Sequence, residues 1–360
     1  MKYVRSDQLL PGMVSLKSIY DQRGVCLLAA NHVLTLPIIF QLRKQKYPGL
    51  YVYDEYSEFE NLKQVFGEAR RARAVKAMHA LNIDQVIFFA TSIVESILHM
   101  EDQLLDMAQL KENNHDIYEH SVNVAMVATV CGVGMGLSDL QLKELATTAM
   151  LHDIGKMAIP DEILNKPGKL TPEEMTLMRT HSEIGATMLC HVDAVNDEIR
   201  KSILMHHENY DGSGYPTGAK GKEIPLYARI IHVADVYDAM IQKRSYKQPF
   251  NPLEVIEYLM GNAGIMFDIE VIYSFLRYVV VYPVGTTVTL SDGRKARVVQ
   301  NRLDMALRPV VVVLGSKEQL DLADDPSCYN LTIIAADCVF HEGDGLEPFG
   351  YGLSNGGVAG

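Results

Sequence analysis

The sequence predicts a mainly α protein in which an all-helical metal-binding domain is flanked by a small N-terminal α+β domain and a small C-terminal β segment. Three observations predict this fold class. Apolar residues recur at a spacing near 3.6 from about residue 58 to residue 277, the spacing becomes two beyond Tyr282, and histidines are concentrated in the helical part. We place the boundaries at 1–60 for the accessory domain, 61–110 for a helical connector, 111–280 for the metal-binding helical domain, 281–345 for the β segment and 346–360 for a flexible tail.

The first 60 residues contain short apolar runs separated by turn residues. The segments GMVSLKSIYD, RGVCLLAANHVL and PGLYVYDEY predict strands, and LPIIFQLRKQKY predicts one short helix. From Glu58 to Leu110 the chain is rich in Ala, Lys, Glu, Gln, Met and Leu and has no proline, which is typical of long amphipathic helices. We expect the N-terminal segment to be regulatory or dimerising and this connector to form a dimer seam, so a homodimer or a signalling protein partner is a hypothesis.

Two loops interrupt the helical part before the chain changes to β structure. They are the Pro/Gly loop IPDEILNKPGKLTPEE, which is a candidate lid over residues 159–174, and the Gly-rich loop NYDGSGYPTGAKGKEIP. Thr171 at the end of the first loop predicts an N-cap, because a proline at the first helical position and acidic residues follow it. Beyond Tyr282, TTVTLSDGRKARVVQN predicts two strands joined by an Asp-Gly turn.

Composition limits the classes of function. The formal net charge of -12 argues against binding of a DNA or RNA polymer, which needs a broad basic surface, so a phosphate ligand must meet a local positive site. The five cysteines are scattered without a CxxC pair and predict reduced thiols. We predict no membrane span and a cytoplasmic location, since no signal-peptide pattern or long apolar stretch occurs.

Five histidines and two aspartates form a constellation within or beside apolar helical segments. A single histidine on an apolar helix is more often a core residue than a ligand, but two adjacent pairs in such segments favour metal binding. Imidazole and carboxylate together suit Fe, Mn, Ni or Zn, and these donors do not distinguish the four metals. The residues are His120, His152, Asp153, His181, His206, His207 and Asp235.

The motifs HDIGK, HSEIGA, HHENYDGSGYP and VADVYDAM, in this order, resemble the HD-GYP subgroup of the HD phosphohydrolase superfamily. The resemblance covers residues 113–249. It implies an all-helical HD-type domain that binds metal ions and hydrolyses cyclic di-GMP to linear pGpG, to GMP or to both, with a metal-bridging hydroxide as nucleophile. It also implies that the seven residues of the constellation are the metal ligands and that Asp153 is the bridge.

The resemblance assigns further roles around the metals. Lys156 is expected to act with Asp153 in catalysis by stabilising transition-state charge and contacting a phosphate oxygen. Tyr215 is expected to contact the substrate, and Arg244 and Lys247 to bind phosphate or guanine. A fifth residue, Asp238, stands one turn beyond Asp235 and is expected to contact the substrate or to orient a ligand or water.

The metal count depends on Asp116. Family members with three metals have a glutamate at this place, one turn before the first histidine, and aspartate is shorter; we therefore predict two divalent ions. Two other functions stay open: a phosphodiesterase that prefers hybrid cyclic GMP-AMP, and a metal-bound receptor for cyclic di-GMP with little turnover. The intact ligand set disfavours the receptor, whereas no motif distinguishes guanine from adenine.

Overall fold

The computed structural model describes residues 2–16, 18–20, 26–45, 47, 49–53, 66–100, 105–106, 117–166, 168–241 and 252–336. Three predicted site residues, Asp116, Arg244 and Lys247, lie outside the described residues, as does the tail predicted over 346–360. Within the described part, no helix is long and apolar enough to cross a membrane.

The N-terminal part has the predicted α+β composition and a core of its own. Strand β1 (Lys2–Arg5) pairs antiparallel with β4 (Gly49–Val52), and β2 (Ile19–Tyr20) pairs with β3 (Cys26–Leu28). In the chain, α1 (Leu36–Lys44) lies between β3 and β4, and it begins after Thr35 with a proline in its first turn. The apolar side chains that these elements bury against one another include Val4, Leu34, Ile39, Leu42 and Val52.

Two helices of the predicted connector pack on the helical core. They are α2 (Glu68–His79) and α3 (Ile83–Leu98), and α3 buries one apolar face through Val86, Ala90, Ile93 and Ile97.

The expectation that helix continues to residue 110 is wrong at one described site. Leu105–Asp106 forms a short strand, β5, which pairs parallel with β6 (Val279–Val280). This pairing joins segments that are more than 170 residues apart in the chain, and helical spacing in a local window carries no signal of such a partner.

The helical core is organised around α4 (Ile117–Gly134), which is buried on nearly all sides from Val122 to Gly132. It packs against α3 and against α5 (Asp139–Leu151), α10 (Leu226–Ile241) and α12 (Ile269–Tyr278), so its lack of a polar face follows from its central position. A 3₁₀ turn over Ile154–Ala158 follows α5. The remaining helices are α6 (Asp161–Leu164), α7 (Pro172–Arg179), α8 (His181–Met188), α9 (Asp197–Met205) and α11 (Pro252–Gly261).

Side-chain caps fix where several of these helices begin. The predicted N-cap at Thr171 is confirmed: its hydroxyl accepts from the backbone N–H of Glu174, and the Glu174 carboxylate accepts from the N–H of Thr171. Ser138 caps α5 in the same way, and the Asn196 side chain caps α9. These caps fix the registers from which the histidines at the helix ends project.

The C-terminal β segment is a five-stranded antiparallel sheet. Its strands are β7 (Thr287–Leu290), β8 (Lys295–Gln300), β9 (Val310–Val313), β10 (Gln319–Asp321) and β11 (Ile333–Ala336). The predicted hairpin is confirmed, with the Asp292-Gly293 turn between β7 and β8 and Gly293 at φ +87°. Buried residues of this sheet, among them Leu290 and Val298, share one apolar core with the helices. The order of the strands across the sheet is β10-β9-β8-β7-β11.

Candidate metal centre

The seven predicted ligands come from five helices and meet in the helical core. His120 lies in the first turn of α4, His152 and Asp153 follow α5, His181 opens α8, His206 and His207 follow α9, and Asp235 lies within α10. Because most of these residues stand at helix ends, the tertiary packing of the helices rather than any local turn brings them together.

One group of ligand atoms is formed by Asp153, His181, His206 and His207, whose donor atoms all lie within 4.8 Å of one another. The Nε2 atom of His181 is 3.3 Å from Nε2 of His206 and 3.2 Å from Nε2 of His207. The same nitrogen is 3.3 Å from Oδ1 of Asp153. Three nitrogens and one carboxylate oxygen therefore converge on a single point.

A second group adjoins the first and is formed by His120, His152 and Asp235, also within 4.8 Å. Nε2 of His120 is 2.9 Å from Oδ1 of Asp235. The two groups meet at Asp153, because its Oδ2 is 3.4 Å from Nε2 of His152 while its Oδ1 faces His181. One carboxylate thus presents one oxygen to each group.

Hydrogen bonds on the far side of the imidazoles leave lone pairs facing one another. The Nδ1 atoms of His152, His181 and His206 lie 2.6–2.7 Å from the backbone carbonyls of Ala149, Met178 and Ile203. These contacts require N–H at Nδ1, so each neutral ring directs an unprotonated Nε2 into the groups.

Facing lone pairs repel unless a cation lies between them. The buried Nε2 of His152 and Oδ1 of Asp153 also have no hydrogen-bond partner in the described part of the chain, and an unsatisfied buried polar atom is costly. Nitrogen and carboxylate donors in this arrangement are those that first-row divalent metals prefer. The residues present therefore fit divalent metal ions.

The electrostatics of the first group keep His206, His207 and Asp153 in the form that binds metal. Burial and the facing imidazoles hold the pKa of His206 and of His207 well below its usual range. Burial opposes ionisation of Asp153, but the Lys156 ammonium, with Nζ 2.5 Å from Oδ2 of Asp153, and the adjacent imidazoles outweigh it and hold the pKa of that carboxyl well below its usual range. The imidazoles of His206 and His207 are thus neutral, and the carboxylate of Asp153 is ionised, at neutral pH.

Asp238 lies behind the second group of ligands. Its carboxylate is fully buried, and Oδ2 is 2.6 Å from Nδ1 of His120. Burial disfavours the charged form of His120, but the hydrogen bonds to Asp235 and Asp238 raise the pKa of this imidazole to about 9. Asp238 therefore fixes the ring so that Nε2 faces Asp235.

Two glycines allow the close approaches that form the site. A Cβ atom on Gly155 would lie 1.9 Å from the carbonyl oxygen of His181, so the HDIGK turn can contact α8 only at a glycine. A Cβ atom on Gly214 would lie 2.2 Å from the backbone nitrogen of Asn209. These contacts explain in physical terms why glycine stands at both positions of the motifs.

The Gly-rich loop is fastened by a buried carboxylate that the sequence did not single out. Glu208 is 2% exposed, and its Oε1 accepts from the N–H and the hydroxyl of Thr217, at 2.6 and 2.8 Å, and from the N–H of Gly218 at 3.1 Å. Its position directly after the paired histidines was the available signal. The contacts hold the loop that carries Tyr215.

Tyr215 lies against the first group of ligands. Its ring stacks on that of His207 with 4.8 Å between centroids, and its backbone N–H donates to the carbonyl oxygen of His207 at 3.2 Å. Arg179 also lies over this ring, with its Cζ 4.8 Å from the centroid. Sequence reasoning missed Arg179, although it stands two residues before a predicted ligand.

The predicted site residues that the structure describes thus lie together: the seven ligands, Lys156 beside Asp153, Tyr215 beside His207, and Asp238 behind His120. The candidate lid over residues 159–174 contains α6 and the start of α7, and an ion pair of 2.6 Å between Lys166 and Glu174 lies within it. Its role as a lid stays a prediction.

Comparison with known proteins identifies the fold and the motifs. The HD domain family profile matches residues 93–271, which contain all seven ligands. A cyclic di-GMP phosphodiesterase of Pseudomonas aeruginosa is 38% identical over 252 residues, which cover 70% of this chain and 59% of the relative. This chain belongs to the HD-GYP family. A 3′3′-cGAMP-specific phosphodiesterase of Vibrio cholerae is 40% identical over 144 residues, covering 40% of this chain and 28% of that protein.

A solved structure supports the fold alone. An HDG"Y"P protein from Bdellovibrio bacteriovorus superposes with a TM-score of 0.50 at 16% identity, covering 76% of this chain and 97% of that one. The chain spans about half the length of the curated relatives it matches, 59% of the first and 48% of another, a cyclic di-GMP phosphodiesterase of Thermotoga maritima. The predicted HD-type helical fold and the predicted family are confirmed.

Proposed function

We propose that this chain is a metal-dependent phosphodiesterase that hydrolyses cyclic di-GMP to linear pGpG, to GMP or to both. The observation that carries the proposal is the pair of buried ligand groups that meet at the two oxygens of Asp153. HD-domain phosphohydrolases are metal-dependent, and the relatives named above act on cyclic dinucleotides.

Two divalent ions are proposed, one for each group of ligands. His181, His206 and His207 would hold one ion, His120, His152 and Asp235 the other, and Asp153 would bridge them. When bound, such ions lower the pKa of water towards neutrality and stabilise charge on the phosphodiester.

The chain's own residues would prepare the phosphodiester for attack. The Lys156 ammonium group, 24% exposed, lies beside Asp153 and can contact a phosphate oxygen of a substrate that enters the site. We assign to it the stabilisation of negative charge that develops on phosphate. Tyr215 would contact the substrate from the side of His207. Arg244 and Lys247 are predicted to bind phosphate or guanine.

Product analysis tests this proposal. Wild-type protein with Mn²⁺ or Fe²⁺ should convert cyclic di-GMP to pGpG or GMP, measured by chromatography. Asp153→Asn should lose both bound metal and product, because it removes the charge shared by the two groups. The matched control is Asp193→Asn, an exposed aspartate, which should behave as wild type. Ligand binding without product under every metal would refute the phosphodiesterase and favour the receptor function.

Hybrid cyclic GMP-AMP is the second candidate substrate, because a relative with 40% identity carries that specificity in its name. The ratio of kcat/KM for cyclic di-GMP and for cyclic GMP-AMP decides between them. A ratio above one supports the main proposal, and a ratio well below one replaces it with the second.

A homodimer and a cytoplasmic location stay predictions. The buried face of α3 is directed at the helical core, and Phe88, 66% exposed, lies on the other side of this helix. Light scattering tests the dimer: we expect a dimer-sized species, and a monomer would contradict the prediction.

A further inference from the structure

Arg179 stands at the edge of the metal centre. It is the last residue of α7, and only Thr180 separates it from His181. The Cζ of its guanidinium and the centroid of the His207 ring each lie 4.8 Å from the centroid of the Tyr215 ring. A cation therefore lies one aromatic ring beyond the first group of ligands.

The guanidinium makes no ion pair with any carboxylate that the structure describes, and its Nε is buried without a hydrogen-bond partner there. The neighbouring acidic residue Glu174 is committed to Lys166. A buried N–H without an acceptor is costly, so this donor is suited to an incoming acceptor. In a chain with a formal net charge of -12, an unpaired cation beside the site is a specific feature.

The guanidinium also suits a phosphate. Its Cζ lies 4.8 Å from the centroid of the Tyr215 ring, and a planar guanidinium carries N–H groups that can bind two phosphate oxygens as a fork. Tyr215 does not depend on Arg179 for its place, since its backbone N–H bonds to His207 and its ring stacks on that residue.

We propose that Arg179 binds the second, non-scissile phosphate of the cyclic dinucleotide, an inference that rests on the proposed function. A cyclic dinucleotide carries two phosphodiesters in one small ring. When one lies at the metal centre, the other must lie close to it and needs a positive partner. Lys156 lies beside Asp153, where we assign it to the scissile phosphate, and Arg244 and Lys247 lie outside the described residues. Among the described residues, Arg179 is a cation that lies beside the metal centre next to Tyr215.

The contact predicts a particular kinetic result. The second phosphate does not react, so its contact is equally strong in the ground state and in the transition state, and losing it raises KM without lowering kcat. Arg179→Ala should raise KM for cyclic di-GMP at least about tenfold and leave kcat within about twofold. The KM of Arg179→Lys should lie between those of wild type and Arg179→Ala, because lysine keeps the charge and loses the planar fork of N–H donors.

A substrate with a single phosphodiester gives the decisive comparison. Bis(p-nitrophenyl) phosphate has no second phosphate, so Arg179→Ala should hydrolyse it within about twofold of wild type. The control variant is Arg294→Ala, since the Arg294 side chain pairs with Asp292 and Glu318 on the C-terminal sheet. Its kinetics with both substrates should match those of wild type.

Two results would overturn the inference: an unchanged KM for cyclic di-GMP, or equal losses on both substrates, which would mean that Arg179 supports the metal centre structurally. Either result with an active wild type leaves the proposed function intact. A wild type that hydrolyses neither substrate with any metal would instead refute the proposed function, so the two failures are distinguishable.

Discussion

Asp238 offers the sharpest test of how the second group of ligands is held. Its fully buried carboxylate lies 2.6 Å from Nδ1 of His120, and a charge-assisted bond of this length is roughly twice as strong as a neutral one. Removing such a partner of a metal-binding histidine typically weakens metal binding about 10- to 100-fold. We expect the metal Kd to rise about tenfold in Asp238→Asn, because asparagine keeps an acceptor, and about a hundredfold in Asp238→Ala.

The assay is a Mn²⁺ titration of metal-free protein, followed by kinetics at saturating Mn²⁺. If Asp238 acts through His120, the Kd for one of the two ions rises and KM for cyclic di-GMP at saturating metal changes little. Asp193→Asn is the control. An unchanged metal Kd with a raised KM would refute this reasoning and give Asp238 the direct substrate contact that the sequence also allowed.

Three further substitutions test how the chain holds the site. Gly155→Ala places a Cβ against the carbonyl of His181. We expect the free energy of unfolding, measured with denaturant, to fall by more than about 3 kcal/mol and the metal content to fall as well. Arg71→Met removes a partner of the buried Glu119 carboxylate, at 3.4 Å, and should lower the free energy of unfolding by about 3–5 kcal/mol in the same assay. Thr171→Ala removes an N-cap and should lower the free energy of unfolding by about 0.5–2 kcal/mol.

Each of these variants has a matched control. A Cβ on Gly261 would meet no atom within 4 Å, Arg70 is exposed in the same helix as Arg71, and Thr176 is exposed in the helix that Thr171 caps. Gly261→Ala, Arg70→Met and Thr176→Ala should stay close to wild type. A variant as stable as its control would contradict the packing, the ion pair or the cap to which its effect is attributed.

Local sequence patterns were sufficient for the elements whose signals lie within a few residues. The cap at Thr171 and the Asp-Gly hairpin were predictable because the residues that bond are close in the chain. The grouping of the metal ligands was predictable only through the order of the motifs, since His120 and Asp235 are 115 positions apart and meet through helix packing.

Other features had no local signal. The strand at Leu105–Asp106 depends on a partner far along the chain, and helical spacing concealed it. Arg179 resembles an ordinary basic residue at a helix end, and its contact with Tyr215 arises only when the Gly-rich loop folds back over His207. The cap rules could place a basic residue there, but they could not indicate what its guanidinium contacts.

The central claim is that two groups of ligands joined by Asp153 each hold a metal ion. Anomalous diffraction from crystals grown with Mn²⁺ tests it most directly. The account predicts two peaks, one among Asp153, His181, His206 and His207, the other among Asp153, His120, His152 and Asp235. A single peak, or none, in crystals of protein that hydrolyses cyclic di-GMP would contradict it.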